Sequence, residues 1–167
     1  MPGASKAHFM STQPQPGTKA PDFSAPVVGG DYAADSTLKL SSLKGENVVL
    51  YFYPKDDTPG CTKQACAIRD GWSSIAKKAK VFGVSIDSAK KHAKFIQKYE
   101  LPFPLISDED HAIVNAYGVW VEKTLYGRQY MGTERTTFVI GPDGKIKAVL
   151  PKVKPDEHLD QVLKALD

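Results

Sequence analysis

The chain has 167 residues, enough for about one domain with its own buried core. Hydrophobic residues make up 41% and charged residues 25%, as in an ordinary globular protein, and the net charge of +3 is too small and too evenly spread to indicate nucleic-acid binding. No apolar run approaches the roughly 18 residues that span a bilayer, so no membrane segment is expected.

The N-terminal residues are rich in Pro, Gly, Ser, Thr and Gln. This composition predicts a flexible arm over residues 1–17, followed by a single domain over residues 18–167. The arm contains no hydrophobic stretch with a cleavage site, so no secretory signal is indicated and the cytoplasm is the expected location. Met10 is an alternative start of the natural chain, in which case the residues before it were added in cloning.

The first half of the domain alternates between predicted strands and helices. Short strands are expected around Gly29 and Gly30, and three apolar, β-branched runs are typical of strands covered on both faces. These runs are Asn47 to Tyr53, Lys80 to Ile86 and Phe103 to Ser107. Helical patterns lie between them at residues 61–78, interrupted at Gly71, and at residues 88–99. This alternation predicts parallel strands joined by crossover helices.

The second half changes pattern. A short helix is expected after Asp108, its predicted N-cap, and before Gly118. Residues 135–150 predict a hairpin that turns at Pro142, Asp143 and Gly144, and residues 154–167 predict an amphipathic helix with Pro155 near its first turn. The order of elements predicts an α/β protein with a thioredoxin-like fold, in which helices flank a central mixed sheet.

Cys61 lies where a helix is expected to begin. Thr58 suits the N-cap and Pro59 the first helical position, so Cys61 falls in the first turn. The unpaired N–H groups and the positive end of the helix dipole favour an anion there, and the thiolate is the nucleophilic form of cysteine. We therefore expect a reactive thiol, the alternative being a small core residue.

Cys66 follows five residues later on the same predicted helix. Five residues of α-helix separate two Cα atoms by about 8.7 Å, whereas a disulfide tolerates at most about 7 Å. If Cys66 resolves an oxidised Cys61, the first turns of the helix must therefore unwind. The spacing alone leaves open whether Cys66 does so or only fills the core.

The segment PKDDTPGC resembles the Pro-x-x-x-Thr-x-x-Cys signature of the peroxiredoxins. The second cysteine in GCTKQACAIRD, together with SDEDHAIVNAYGVW, YGRQYMGTERTTFVI and PDGKI, is similar to the Q-type branch, also called bacterioferritin comigratory proteins. The likeness extends from about Pro16 to Asp167. It implies a thiol peroxidase with the thioredoxin-like fold, elaborated at its N-terminus, and with no metal or organic cofactor.

The resemblance also implies roles for individual residues. Cys61 would attack the peroxide O–O bond and become a sulfenic acid, with which Cys66 would form a disulfide. The Thr58 hydroxyl would hydrogen-bond the sulfur and the peroxide, and Pro54 would wall the pocket. Arg135, at the start of a predicted strand, would stabilise the thiolate and the developing oxyanion. The implied partners are a hydroperoxide and thioredoxin or a similar dithiol, and the implied state is a monomer.

Three other functions remain as alternatives. A peroxide sensor would share the site and pass its disulfide to a partner. A general dithiol oxidoreductase usually carries Cys-x-x-Cys, whereas four residues separate the thiols here. A soft-metal carrier would need a histidine beside the cysteines, but none of His8, His92, His111 and His158 lies at metal-ligand spacing from them. The histidines are accordingly not expected to carry function.

Overall fold

The computed structural model describes residues 12–167, and a seven-stranded mixed sheet forms its centre. The nine strands are β1 Ser24–Val28, β2 Ser36–Lys39, β3 Val48–Phe52, β4 Lys80–Ser85, β5 Leu105–Ser107, β6 Trp120–Leu125, β7 Arg128–Thr133, β8 Thr137–Ile140 and β9 Ile146–Leu150. In the part of the chain described, no helix is long and apolar enough to cross a membrane.

The sheet has the order β2-β1-β5-β4-β3-β8-β9. Strands β3, β4 and β5 are parallel, as the three apolar runs predicted, and Val48 pairs with Lys80 at the start of this ladder. All of β3 is buried because neighbours cover both of its faces. The predicted β8–β9 hairpin is also confirmed.

Within residues 12–167, five α-helices and a short 3-10 helix, Leu40–Leu43, accompany the strands. The α-helices are α1 Pro59–Asp70, α2 Trp72–Ile75, α3 Ala89–Tyr99, α4 Ala112–Ala116 and α5 His158–Leu166. Alternate residues of β3 face two cores: Leu50 and Phe52 lie in one, and Val49 and Tyr51 lie in the other with residues of α1, α3 and α5. The predicted central mixed sheet flanked by helices is therefore confirmed.

Two predicted helix starts were wrong. α4 begins at Ala112, and Asp108 is not its N-cap, although the Asp108 carboxylate accepts hydrogen bonds from the N–H groups of Ile113 and Val114. α5 begins at His158, three residues after Pro155, because residues 155–157 form a turn. In both cases the residue expected at the helix start, Asp108 or Pro155, lies a few residues before the first helical turn.

One hairpin was not predicted. β6 and β7 pair with each other in a separate two-stranded sheet, with Trp120 opposite Thr133. Tyr126 and Gly127 form its two-residue turn with φ of 52° and 78°, the positive values that tight hairpin turns require.

The predicted arm is only partly described. Residues 1–11, including Met10, lie outside the described residues. Further along, Gln13 Nε2 donates to Glu134 Oε2 and Gly17 N donates to Ile146 O. Residues 13–17 thus contact the domain, whereas the proposed division into arm and domain stays a prediction.

Candidate active site

Cys61 is the third residue of α1, in the first helical turn. Thr58 is the extended N-cap residue and Pro59 occupies the first helical position, so the predicted helix start is confirmed. The Cys61 side chain is nearly buried, with 1% of the residue exposed, and it contributes to the core beneath α1. Free N–H groups of this turn face the same end of the helix and favour a negative charge on the sulfur.

Cys66 lies further along the same unbroken helix. It is half-buried, and both cysteines are free thiols. The helix thereby holds the two sulfurs apart, in the arrangement that the five-residue spacing predicts for a formed helix. A disulfide between them requires α1 to unwind.

Thr58 and Pro54 belong to the loop that connects β3 to α1. The Thr58 hydroxyl makes no cap hydrogen bond, contrary to the cap role expected of it, and donates instead to Lys55 O at 2.9 Å. Its oxygen keeps lone pairs for a further donor. Pro54 is half-buried, two residues after the end of β3.

A buried cluster holds this loop from below. Asp56 Oδ2 lies 2.6 Å from His92 Nδ1, and Asp56 Oδ1 accepts from the Tyr53 hydroxyl. The Asp56 N–H donates to Asp87 Oδ2, and the Ser85 hydroxyl donates to the same oxygen. This cluster was not predicted from the sequence, because its members come from three separate parts of the chain: the loop after β3, the end of β4 with the loop that follows it, and α3.

Arg135 lies against the first turn of α1. Its Nη1 donates to Gln64 Oε1 at 2.6 Å, and a Cβ placed on Gly60 would lie 3.3 Å from its Nη2. The residue precedes β8 by two positions rather than starting the strand. Neighbouring backbone bonds fix it: Val153 N donates to Arg135 O, and Phe52 N donates to Thr136 O. The guanidinium is therefore held beside the residue that precedes Cys61.

Gln64, His158 and Thr137 extend the arginine contact into the core. Gln64 Nε2 lies 3.0 Å from His158 Nδ1, and His158 Nε2 lies 2.6 Å from Thr137 Oγ1. All three side chains are fully buried. We call Arg135, Gln64, His158 and Thr137 the polar chain. Burial, followed by the charge of Arg135, lowers the pKa of His158 to about 3, so the ring is neutral at physiological pH.

Lys123 is a second cation near the cysteine that the sequence did not reveal. It projects from β6, is half-buried and donates from Nζ to Thr133 O. Burial and the charge of Arg135 lower the pKa of Lys123, whereas the Cys61 sulfur opposes that effect. Lys123 and Arg135 line an open cleft of about 490 Å³ with residues of β6 and the segment after β9. No sequence signal marked it, because β6 is mostly exposed and shows no clear apolar alternation.

The described residues also bear on the metal-carrier alternative. Between Thr12 and Asp167, no three His, Cys, Asp or Glu side chains are grouped so that they could hold a metal ion. The two buried histidines instead use their ring nitrogens in hydrogen bonds, His92 with Asp56 and Ile106 O, and His158 within the polar chain.

Comparisons with known proteins agree on one family. The sequence profile of the AhpC/TSA family matches residues 16–149. Peroxiredoxin Bcp of Bacillus subtilis strain 168 is 46% identical over 151 residues, which cover 90% of this chain and 93% of the relative.

Solved structures show the same likeness. Xanthomonas campestris peroxiredoxin Q superimposes with a TM-score of 0.81 at 37% identity, covering 90% of this chain and 96% of the other. A structure of the Xanthomonas campestris bacterioferritin comigratory protein, described for its alkyl peroxide reduction activity, gives a TM-score of 0.81 at 36% identity and covers 91% and 97%.

Proposed function

The chain belongs to the AhpC/TSA family, in its Bcp or peroxiredoxin Q branch, and is a thiol peroxidase; on that premise we propose that Cys61 is its peroxidatic cysteine and Cys66 its resolving cysteine. One observation supports this proposal more strongly than any other. Cys61 lies in the first turn of α1, and Arg135 is held against that same turn. Two sources of positive potential thus converge on one sulfur.

In the first step, the Cys61 thiolate attacks one oxygen of the hydroperoxide and breaks the O–O bond. The sulfur becomes a sulfenic acid, and the leaving oxygen departs as water or an alcohol after taking up a proton. Arg135 stabilises the negative charge that develops on that oxygen. The Thr58 oxygen accepts from the peroxide O–H while its own proton is donated to Lys55 O, and Pro54 restricts water at the sulfur.

In the second step, α1 unwinds and the Cys66 thiol displaces water from the sulfenic acid to form the disulfide. An external dithiol then reduces the disulfide by exchange and becomes oxidised itself. We propose thioredoxin or a similar dithiol as this reductant. Both thiols of the disulfide come from the same chain, Cys61 and Cys66, so a monomer suffices for the cycle.

Substrate breadth and cellular setting belong to the same proposal. The open cleft beside Arg135 and Lys123 leaves room for the carbon chain of an organic hydroperoxide as well as for hydrogen peroxide. The Xanthomonas campestris relative described for alkyl peroxide reduction supports this breadth. The cytoplasmic location and the monomeric state stay predictions.

The proposal is tested by treating fully reduced protein with one equivalent of hydrogen peroxide, followed by thiol counting and intact mass. We expect both thiols to disappear with a mass decrease of about two units, the two hydrogens lost on disulfide formation. Cys61→Ser should leave the remaining thiol unreacted. Cys66→Ser should react once, as a sulfenic acid, and fail to turn over with thioredoxin.

Two results would contradict these assignments. Peroxide consumption by Cys61→Ser at the unsubstituted rate would remove Cys61 as the nucleophile. Normal thioredoxin-supported turnover by Cys66→Ser would remove Cys66 as the resolving thiol.

A further inference from the structure

The polar chain has one self-consistent arrangement of protons. The Arg135 guanidinium can only donate, so the Gln64 oxygen faces it and the Gln64 amide nitrogen faces His158. The amide nitrogen donates, so Nδ1 of His158 must accept and the ring proton lies on Nε2. That proton is then donated to Thr137 Oγ1. The bond between Gln64 and His158 requires an unprotonated Nδ1, and therefore a neutral imidazole at position 158.

The same chain joins three elements around the cysteines. Thr137 belongs to β8, His158 is the first residue of α5, and Gln64 lies on α1 between Cys61 and Cys66. Gln64 therefore bonds both His158 and Arg135 only while that part of α1 is helical. His158 has 0% exposure in this structure, so in the reduced protein its Nδ1 accepts from Gln64 and not from solvent.

Disulfide formation must break this arrangement. Cys61 and Cys66 can approach only if the helix between them unwinds, and Gln64 is within that stretch. Unwinding removes the donor from His158 Nδ1 and the acceptor from Arg135 Nη1. The reduced protein keeps both hydrogen bonds, whereas the oxidised protein loses them.

We propose that His158 is a positioning residue that fixes Gln64, and through it Arg135, beside Cys61, and that the loss of its Gln64 bond opposes formation of the disulfide. The inference rests on the proposed roles of Cys61 and Cys66. His158 thereby affects two steps, favouring the reaction with peroxide and restraining the resolution that follows. A histidine that only packed α5 onto the sheet would affect neither step specifically.

The test compares His158→Leu with His158→Asn. Leucine removes both ring nitrogens, whereas the Asn oxygen takes the place of Nδ1 and keeps an acceptor for Gln64. Two quantities are measured: the rate of Cys61 oxidation by hydrogen peroxide in a Cys66→Ser background, and the equilibrium between disulfide and dithiol in a dithiothreitol buffer.

His158→Leu should slow Cys61 oxidation about tenfold and shift the equilibrium about tenfold toward the disulfide, since it leaves the Gln64 amide unpaired only in the reduced state. His158→Asn should restore both to within about twofold of the unsubstituted protein.

A matched control separates this role from general stability. Leu166→Ala lies two turns further along α5, removes buried packing and leaves the polar chain intact. If His158→Leu and Leu166→Ala destabilise the fold alike and leave both quantities unchanged, the inference is overturned. If His158→Leu does not fold, Thr137→Val, which has nearly the same shape as threonine, replaces it in the test. Thr137→Val should slow Cys61 oxidation and shift the equilibrium toward the disulfide, whereas Thr137→Ser should change neither. Equal behaviour of the two Thr137 variants would also overturn the inference.

The failure of the proposed function would look different. In that case the unsubstituted protein itself would form no Cys61–Cys66 disulfide with peroxide, whatever residue occupies position 158. A normal disulfide in the unsubstituted protein combined with unaltered His158→Leu would overturn the positioning role alone.

Discussion

Arg135 is the side chain on which the peroxide step should depend most, after Cys61 itself. Its guanidinium lies against the first turn of α1 and is aligned by Gln64. Arg135→Ala removes the donor that stabilises the developing oxyanion, so we expect Cys61 oxidation by hydrogen peroxide to slow about 100-fold. Rapid quenching with a thiol label, followed by mass analysis, measures this rate.

Arg128→Ala is the matched control for that substitution. Arg128 lies in the exposed part of β7, so its removal changes the net charge by the same amount without touching the polar chain. A rate within about twofold of the unsubstituted protein is expected for it. Equal losses in the two variants would assign the effect of Arg135 to overall charge rather than to its position.

At the residue scale, the sequence predicted what a local motif encodes. Thr58, Pro59 and Cys61 are neighbours in the chain, and the chemistry of a helix start is enough to order them. The contact between Gln64 and His158 could not be predicted in this way, because 94 residues separate them and neither residue belongs to a local sequence motif. Arg135 was predicted from family likeness alone, since an isolated arginine is ordinarily a surface residue.

At the element scale, the stability of α1 should control how fast the disulfide closes. Lys63 is an exposed residue of α1 between the two cysteines. Glycine in a helix is less favourable than alanine by about 1 kcal/mol, so Lys63→Gly should unwind more readily than Lys63→Ala. If unwinding precedes closure, the step from sulfenic acid to disulfide should be about fivefold faster with glycine, as measured by the loss of the second thiol after rapid mixing.

The comparison has its control in α3, a helix without cysteines. Lys94 is also exposed, and Lys94→Gly against Lys94→Ala makes the same change at a distance from the site. The closure rates of this second pair should be equal. Equal rates for the Lys63 pair as well would mean that closure does not require this part of α1 to unwind.

The elements predicted best were those with a strong pattern and a clear boundary. Buried strands such as β3 give an uninterrupted apolar run, and Gly71 did separate α1 from α2. The hairpin of β6 and β7 escaped prediction because most of its residues are exposed, so neither strand shows a clear apolar alternation. Its turn at Tyr126 and Gly127 lacks the Asn or Asp that usually marks such a turn.

At the scale of the whole molecule, the alternation of strands and helices predicted the fold but not the neighbours within the sheet. The chain order places β5 before β8, whereas the sheet places β8 beside β3 and β5 at the opposite side of β4. This arrangement brings the segment before β8, with Arg135, next to the end of β3 from which the Cys61 loop departs. The site therefore depends on a strand order that periodicity does not encode.

Whole-molecule stability should depend on pH through His158. Its pKa is about 3 in the folded protein, lowered first by burial and then by Arg135, against an ordinary value of 6.5. Between these values the unfolded chain binds a proton that the folded protein does not. The free energy of unfolding should therefore fall as the pH is lowered from about 6.5 toward 3, with a slope from this group that approaches about 1.4 kcal/mol per pH unit.

Urea unfolding at several pH values between 4 and 7 measures this slope, and His158→Asn removes the titrating group while keeping the acceptor. The variant should show a shallower loss of stability across that range. Asp57 and Asp167 act at lower pH, because hydrogen bonds from Lys98 and Lys78 hold their pKa values below 3.8. Parallel stability curves for His158→Asn and the unsubstituted protein would mean that the imidazole is protonated with equal ease in the folded and unfolded states, so that burial and Arg135 do not hold it in its neutral form.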